Sequence, residues 1–280
     1  ICIEKTDSGE YDFNSAFADG ICFQENGKMK VTILGSGTST GVPVIGCTCS
    51  VCSSNDSKDK RTRPGVLINK DNYNILIDAS QELRVQLLGR TDKIDAIMIT
   101  HAHADHIFGL DDTRVISMRY GREIPIYCSN ETRLEIMDVY SYVFRNTQEG
   151  GGKPKFKFYD IEKIDSIGPF DVKSFKVNHG RIKIDAYIID KLAVVMDASY
   201  IERVQRDMIR KNAESIIING LRMRPHTTHF SISESMFLIK SLKMKKGYLL
   251  HLSHDLKHSE IEKILPDGVY ACYDGMEFDA

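Results

Sequence analysis

The chain has 280 residues, 42% of them hydrophobic and 27% charged, and its formal net charge is −2. That length can bury the core of one large layered domain or of two small ones, while the balanced charge gives no global reason to expect nucleic-acid binding. The longest apolar runs, such as 193–196 and 216–218, have the length of strands and are too short to cross a membrane. Seven cysteines, three of them clustered, fit a reducing compartment and metal binding better than a disulfide framework. We therefore expect a cytoplasmic protein without membrane segments.

Residues 1–28 show turn signals but no sustained period, so we interpret them as an irregular extension of a single domain at 29–280. Strands are predicted at 30–34, 65–69, 74–78, 96–100, 124–128, 172–178, 186–190, 193–197, 215–219, 248–252 and 269–273. Helices are predicted at 81–88, 107–119, 132–144, 201–211, 233–243 and 259–264. The fifth helix has a predicted N-cap and apolar face, namely Ser233 with Met236, Phe237 and Ile239. This mixture predicts an α+β fold of sheets covered by helices, with residues 148–157 as a flexible insertion.

The segment after the predicted strand at 96–100 carries the strongest chemical signal. Three imidazoles and one carboxylate follow each other closely there: His101, His103, Asp105 and His106. In an extended segment, His101 and His103 project to the same side, and the other two follow where the chain can bend. Neutral imidazole nitrogen and carboxylate oxygen suit zinc, manganese or iron, and four such groups this close suit two metals better than one.

Further candidate ligands come at the ends of apolar strands elsewhere in the chain. They are Asp78, His179, Asp197 and His251. A strand end holds its side chain in a fixed position while loops close over it. Each of these residues alone is more often structural, but their number, together with His101, indicates one shared site.

A Gly-rich stretch at 35–43 precedes a cluster of cysteines. It is not G-x-G-x-x-G, and it leads into Pro43 and the cysteines instead of a helix, so we discount a dinucleotide site. The cluster has the spacing C-x-C-x-x-C, formed by Cys47, Cys49 and Cys52. Three thiolates need a fourth ligand to complete a tetrahedral zinc site, and the nearest fits are His254 and His258.

The ordered set of an early Asp, H-x-H-x-D-H, and then a His, an Asp and a last His resembles the metallo-β-lactamase-fold hydrolases. The resemblance covers residues 29–278 and implies an αββα sandwich with a dinuclear metal site at one edge of the sheets. It implies one metal on His101, His103 and His179, and another on Asp105, His106 and His251. It also implies that Asp197 bridges the two metals and that Asp78 supports the His-rich loop without touching metal. Two divalent ions in such a site, zinc or manganese, share a water and bring its pKa toward neutrality.

Within that family the chain resembles the PhnP-type branch, which is similar to phosphoribosyl 1,2-cyclic phosphate phosphodiesterases. The resemblance rests on G-S-G-T-S-x-G-V-P, the cysteine cluster, H-x-S-H at 251–254 and Y-D-G-M-E at 273–277. It implies a structural zinc on Cys47, Cys49, Cys52 and His254. The expected function is metal-dependent hydrolysis of a small cyclic or diester phosphate.

The segment at 221–229 offers groups for that substrate. By resemblance to the branch's P-H-x-T-H segment, His226 and His229 are expected near the scissile phosphate, with His229 as the proton donor to the leaving oxygen. Arg222 and Arg224 are candidates to hold phosphate oxygens, and Asp105 is expected to orient the attacking hydroxide. The branch's usual acidic residue just upstream is replaced here by the pair at 219–220, Asn-Gly.

Other functions remain open from the sequence. A tRNase Z-type endonuclease has the same metal chemistry, but the only candidate for its basic arm is the short insertion at 148–157, so nucleic acid is not the favoured partner. Thioester or lactam hydrolysis at the same site is a second alternative, and a metal-binding scaffold without turnover is a third. The expected partner is a small phosphodiester, and a homodimer is left open.

Overall fold

A computed structural model describes residues 27–145 and 152–280. Two seven-stranded sheets pack face to face, and helices cover both outer faces. This architecture confirms the predicted αββα sandwich. Most of the predicted extension at 1–28 lies outside the described residues, so its separation from the domain stays a prediction.

The first sheet comes mainly from the N-terminal half of the chain. Its strands are β1 (Lys30–Gly35), β2 (Gly65–Lys70), β3 (Tyr73–Ile77), β4 (Ala96–Met98), β5 (Ile124–Cys128), β6 (Phe156–Asp160) and β14 (Glu277–Asp279). Their spatial order is β14-β1-β2-β3-β4-β5-β6. The strands β3 to β6 are parallel, so their carboxyl ends meet at one edge of the sheet.

The second sheet is formed by the C-terminal half. Its strands are β7 (Ser166–Ile167), β8 (Phe170–His179), β9 (Ile182–Ile189), β10 (Leu192–Val195), β11 (Ser215–Asn219), β12 (Lys246–Leu250) and β13 (Val269–Ala271). Their spatial order is β13-β12-β11-β10-β9-β8-β7. The run from β10 to β13 is parallel, which again gathers carboxyl ends at one edge.

The helices form the outer layers. They are α1 (Leu83–Leu87), α2 (Ala104–Ile107), α3 (Arg114–Tyr120), α4 (Asn130–Val139), α5 (Ser141–Phe144), α6 (Arg203–Asn212), α7 (Ile232–Ser241) and α8 (His258–Ile264). None of these helices is long and apolar enough to span a membrane, within the ranges that the structure describes.

The core is divided into three apolar layers by the alternation of side chains along each strand. In β1, Val31 and Ile33 point between the sheets, and Leu34 joins the layer under the helices of the first sheet. In β10, Val194 faces the inter-sheet core, and Ala193 joins the layer under α6, α7 and α8. Because successive side chains in a strand point to opposite faces, these continuous apolar strands are buried on both sides.

The long helix predicted at 107–119 is divided in the structure. Helix α2 begins at Ala104, a 3-10 turn follows at Leu110–Thr113, and α3 begins at Arg114. The division lies at Gly109, where an added Cβ would be 2.0 Å from the carbonyl oxygen of Ser80. The close approach of these two backbones interrupts the helix and fixes the segment that carries Asp105 and His106.

Other boundaries differ for local reasons. The predicted N-cap Ser233 is wrong, because Ser231 accepts from the N–H of Glu234 and the Glu234 carboxylate accepts from the N–H of Ser231. Phe237 is 73% exposed and so does not belong to the buried face of α7. The predicted flexible insertion at 148–157 lies partly outside the described residues, and its end forms the start of β6.

Candidate active site

The His-rich segment leaves β4 in an extended conformation and then turns directly into α2. His103 occupies the N-cap position of α2, while Asp105 and His106 lie in its only turn. The Nε2 atom of His101 lies 2.9 Å from Nδ1 of His103. The expected pairing of the first two imidazoles is therefore present, and the bend that aims the second pair is the start of a helix.

Asp78 fixes the His-rich segment through contacts with Thr100 and His106. Its Oδ1 accepts from the backbone N–H of Thr100 at 2.9 Å, and its Oδ2 accepts from the Thr100 hydroxyl at 2.9 Å and lies 2.7 Å from His106 Nδ1. The Thr100 hydroxyl in turn lies 2.9 Å from His101 Nδ1. These contacts leave the Nε2 atoms of His101 and His106 directed into the site, which agrees with the supporting role predicted for Asp78.

The second sheet supplies the other three candidate ligands. His179 ends β8, and its Nδ1 lies 2.8 Å from the carbonyl oxygen of Thr228, which leaves Nε2 for the site. Asp197 follows β10, and its Oδ2 lies 3.3 Å from His106 Nε2. His251 follows β12, and its Nε2 lies 3.3 Å from Asp197 Oδ1 and 3.5 Å from Asp105 Oδ2.

At this site, three groups of described side chains present ligand atoms within 4.8 Å of one another. The groups are His101, His103 and His179; Asp105, His106, Asp197 and His251; and His179, Asp197 and His229. The first two groups contain the residues that the resemblance assigns to the two metal positions, and the assignment itself stays a prediction. Asp197 lies between them, because its oxygens approach His106, His251 and, at 3.9 Å, His101.

The donor set fits divalent metal ions. Several buried side-chain atoms find no hydrogen-bond partner within the described parts of the chain: His106 Nε2, Asp197 Oδ1, His251 Nδ1 and Nε2, and His229 Nδ1. Buried polar atoms are seldom left unpaired. His106 Nε2 and His251 Nε2 each lie 3.3 Å from the Asp197 carboxylate, and such a convergence of donors suits a metal. Burial lowers the pKa of His101 well below its usual range, which favours the neutral form that binds metal. Binding of metal by these residues stays a prediction.

The backbone conformation at two of these residues also indicates a functional site. His251 and Asp78 have φ angles of 59° and 58°, in the left-handed region that residues other than glycine rarely adopt. Such conformations persist where the surrounding structure holds them, and they cluster at functional sites.

The two histidines of the 221–229 segment lie beside this cluster. The His229 ring has its centroid 4.6 Å from that of His251 and 4.8 Å from that of His179. The His226 ring lies 5.3 Å from that of His229 and is solvent-exposed. Burial lowers the pKa of His229 to about 3, although the neighbouring Asp197 carboxylate acts in the opposite direction, so the imidazole is neutral near pH 7.

The two candidate arginines differ. Arg224 is 75% exposed and pairs with Asp255 at 3.1 Å, so its guanidinium already has an acidic partner at the surface. Arg222 is half-buried. Burial lowers the pKa of His226, and the positive charge of Arg222 lowers it further. Arg222 is therefore the better placed of the two to meet a phosphate near His226.

The three clustered cysteines lie against the ring of His254. The Nδ1 of His254 lies 3.4 Å from the sulfur of Cys47 and 3.5 Å from those of Cys49 and Cys52. His258, the other candidate, has its Nε2 against Glu262 at 3.0 Å. The backbone N–H of Cys52, donating to the Cys49 sulfur, lowers the pKa of that thiol to about 6, which favours a thiolate. The geometry thus groups His254 with the thiols, while the bound zinc itself stays a prediction.

Sequence reasoning assigned no role to three side chains that hold the site. The Asn219 amide bonds both backbone groups of Ala198, next to Asp197. Buried Arg61 donates to the carbonyl oxygens of Ser253 and Leu256 in the loop after His251. The third is Thr100, whose hydroxyl lies between Asp78 and His101. In the sequence it is simply the residue before the H-x-H motif. Such roles depend on contacts across the fold, so no local pattern identifies them.

The sequence and fold of this chain are similar to those of known proteins. A family model described as "Beta-lactamase superfamily domain" matches residues 73–252. A crystal structure described as a new diphosphatase from the PhnP family is 35% identical, has a TM-score of 0.84, and is matched over 90% of this chain and 97% of its own. The short form of human tRNase Z has a TM-score of 0.63 at 19% identity, over 89% of this chain and 98% of its own, and shows the shared fold.

A curated protein of Porphyromonas gingivalis named octanoyltransferase is 38% identical over 256 residues, which are 89% of this chain and 51% of that protein. The chain thus spans about half the length of this relative. The matches over most of the chain identify its fold and its family. The chain belongs to the β-lactamase superfamily and, within it, to the PhnP family of metallo-hydrolases.

Proposed function

We propose that this protein hydrolyses a small cyclic or diester phosphate, such as a phosphoribosyl 1,2-cyclic phosphate, with two divalent metals at the His and Asp cluster. The observation that carries the proposal is the shared position of Asp197 between two complete ligand groups, with His229 at 3.9 Å from its Oδ2. Two ions held by these residues, zinc or manganese, would supply Lewis acidity and bring the pKa of a water toward neutrality.

The chain's own residues define the remaining steps. Burial opposes ionisation of Asp105, but the neighbouring His106 and His251 lower its pKa, so it is a carboxylate that can orient the attacking water. His229 lies on the side of the cluster toward exposed His226, where a substrate would enter. A phosphate anion bound beside His229 would raise its pKa again, and the protonated ring could then donate to the leaving oxygen.

Hydrolysis of a diphosphate bond is a second candidate, supported by the name of the 35% identical PhnP-family structure. The metals and His229 would serve both reactions, because each transfers a phosphoryl group to water. A tRNA substrate is less favoured, because only residues 145–155 separate α5 from β6, which is short for the long basic arm of a tRNase Z-type enzyme. Thioester hydrolysis remains the alternative from a different class of chemistry.

Initial rates of the metal-reconstituted protein on four substrate types will separate these functions. The panel is a ribose cyclic phosphate, bis(p-nitrophenyl) phosphate, a nucleoside diphosphate and an acyl thioester. We expect turnover of the phosphodiesters, abolished in His251→Ala and retained in His258→Gln, whose ring lies outside the cluster. Turnover of the thioester alone would contradict the proposal, and a preference for the diphosphate would select the second candidate.

A further inference from the structure

The Y-D-G-M-E stretch at 273–277 has no part in the chemistry described above, yet it joins the two sheets. Just before it, the N–H of Cys272 donates to the Leu249 carbonyl of β12 at 2.9 Å. Within it, the N–H of Gly275 donates to the Ile33 carbonyl of β1 at 2.8 Å. Asp274 lies between these two anchors, where the chain crosses from the second sheet to the first.

The Asp274 carboxylate accepts four hydrogen bonds, two at each oxygen. Its Oδ1 accepts from the Ser36 backbone N–H at 2.8 Å and from the Ser36 hydroxyl at 2.7 Å. Its Oδ2 accepts from the Thr62 backbone N–H at 2.7 Å and from the Thr62 hydroxyl at 2.6 Å. One side chain therefore fixes both the start of the Gly-rich loop and Thr62, in the segment that leads into β2, with charge-assisted bonds, which are stronger than neutral ones.

The Gly-rich loop in turn holds Leu252, the residue after His251, through backbone hydrogen bonds. The carbonyl of Ser36 accepts from the N–H of Leu252 at 2.9 Å, and the N–H of Thr38 donates to the Leu252 carbonyl at 3.2 Å. Both backbone groups of Leu252 are thus held by the loop that Asp274 fixes. The φ angle of 59° at His251 is a costly conformation that needs such support.

We propose that Asp274 is a positioning residue for His251, acting through Ser36 and Leu252. Loss of its acceptors would release the Gly-rich loop and let His251 relax from the left-handed region. The ligand group of Asp105, His106, Asp197 and His251 would then lose its geometry, while that of His101, His103 and His179 would keep its own. The inference rests on the proposed function, in which His251 holds a metal.

The variant Asp274→Asn tests this with little change of shape. An amide offers only one acceptor atom, so either Ser36 or Thr62 would present its donors to an NH₂ group. Titration with manganese measures metal binding at the His and Asp cluster selectively, because thiolate sites prefer zinc. We expect one of the two manganese affinities to fall by about 10- to 100-fold, the range for residues that orient metal ligands, with the other unchanged. Asp267→Asn, an exposed carboxylate that takes part in none of these four hydrogen bonds, is the matched control.

A second variant keeps the test decisive if Asp274→Asn does not fold. Ser36→Ala removes one of the four hydrogen bonds and leaves the backbone ones in place, so a smaller loss at the same manganese site is expected. Two normal manganese affinities in either folded variant, or an equal loss at both sites, would overturn the positioning role. If the wild-type protein itself binds fewer than two manganese ions, the proposed metal centre fails instead.

Discussion

At the scale of a single residue, the position of His229 suits two different roles, metal binding and proton donation. Its Nδ1 is buried without a partner among the described residues and lies 3.9 Å from Asp197, which also suits a metal ligand. Its position beside exposed His226 suits a proton donor to substrate. The two roles differ in a measurable way, because an acid matters only when the leaving group needs a proton.

Replacing His229 with Ala distinguishes these roles. As a general acid it contributes about 10²–10⁴ in rate, so His229→Ala should slow a ribose phosphodiester by that factor. A p-nitrophenyl ester should be affected much less, because nitrophenolate leaves without a proton. Rates on both esters and the metal content of the variant provide the measurement. Equal slowing of both esters, or loss of metal, would assign His229 to metal or substrate binding.

At the scale of elements, one short loop after β12 serves both candidate metal sites. His251 faces the Asp and His cluster, and His254 faces the three cysteines. Arg61, with its side chain fully buried, crosses to this loop, donates to the carbonyl oxygens of Ser253 and Leu256, and pairs with Asp59 at 3.2 Å. The loop is thus held at its middle while its two histidines point to different sites.

Replacing each histidine of this loop should give opposite results. His251→Ala should abolish hydrolysis and leave the fold nearly intact, because it removes one ligand of the catalytic group. His254→Ala should release the structural zinc and lower stability, because such a metal contributes to the free energy of folding. Zinc content and thermal unfolding are the measurements. If His258→Ala releases that zinc and His254→Ala retains it, the assignment of the fourth ligand is wrong.

Replacing Arg61 should cost far more stability than replacing an exposed arginine. Arg61→Leu leaves Asp59 buried without its partner, and breaking a buried pair in this way costs about 3–5 kcal/mol. Arg224→Leu removes a partner from a surface pair with Asp255, which is worth about 0–1 kcal/mol. Urea unfolding of both variants gives the comparison. Similar free energies of unfolding for the two would show that the Arg61 contacts do not stabilise the loop.

At the scale of the whole molecule, the candidate metal centre joins the two sheets. His101, His103, Asp105 and His106 come from the end of the first sheet, whereas His179, Asp197 and His251 come from the second. Seven imidazole and carboxylate groups therefore meet across the interface, and several of their buried polar atoms have no hydrogen-bond partner within the described parts of the chain. Bound metals should therefore act as a cross-link between the halves of the sandwich.

Removal of metal should accordingly destabilise the native protein as a whole. We expect about three metals per chain after gentle purification, two at the cluster and one zinc at the cysteines. A ligand that binds only the native state contributes about 2.7 kcal/mol at 100 times its dissociation constant, so chelation should lower the unfolding temperature and added metal should restore it. Elemental analysis and calorimetry provide the test. One metal or none after reconstitution would contradict the count.

Much of the fold followed from periodicity, and the exceptions have physical causes. Long apolar strands such as those at 124–128 and 215–219 were located within a residue, because burial on both faces leaves continuous apolar runs. The edge strands β6 and β14 were missed, since Lys157 and Glu277 interrupt their apolar pattern where the sheet meets solvent. The helix at 107–119 was divided by the packing of Gly109 on Ser80, a contact distant in sequence.

The sequence by itself determined which atoms are available for chemistry and in what order, because H-x-H-x-D-H and C-x-C-x-x-C place donors close together along the chain. It could not choose between His254 and His258, since both fit by spacing, and only the tertiary structure brings the His254 ring against the three sulfurs. It also assigned no role to Arg61, Asn219 or Asp274, although Asp274 lies in the Y-D-G-M-E motif. Their partners lie on other strands, and a contact between distant segments exists only once the two sheets have packed together.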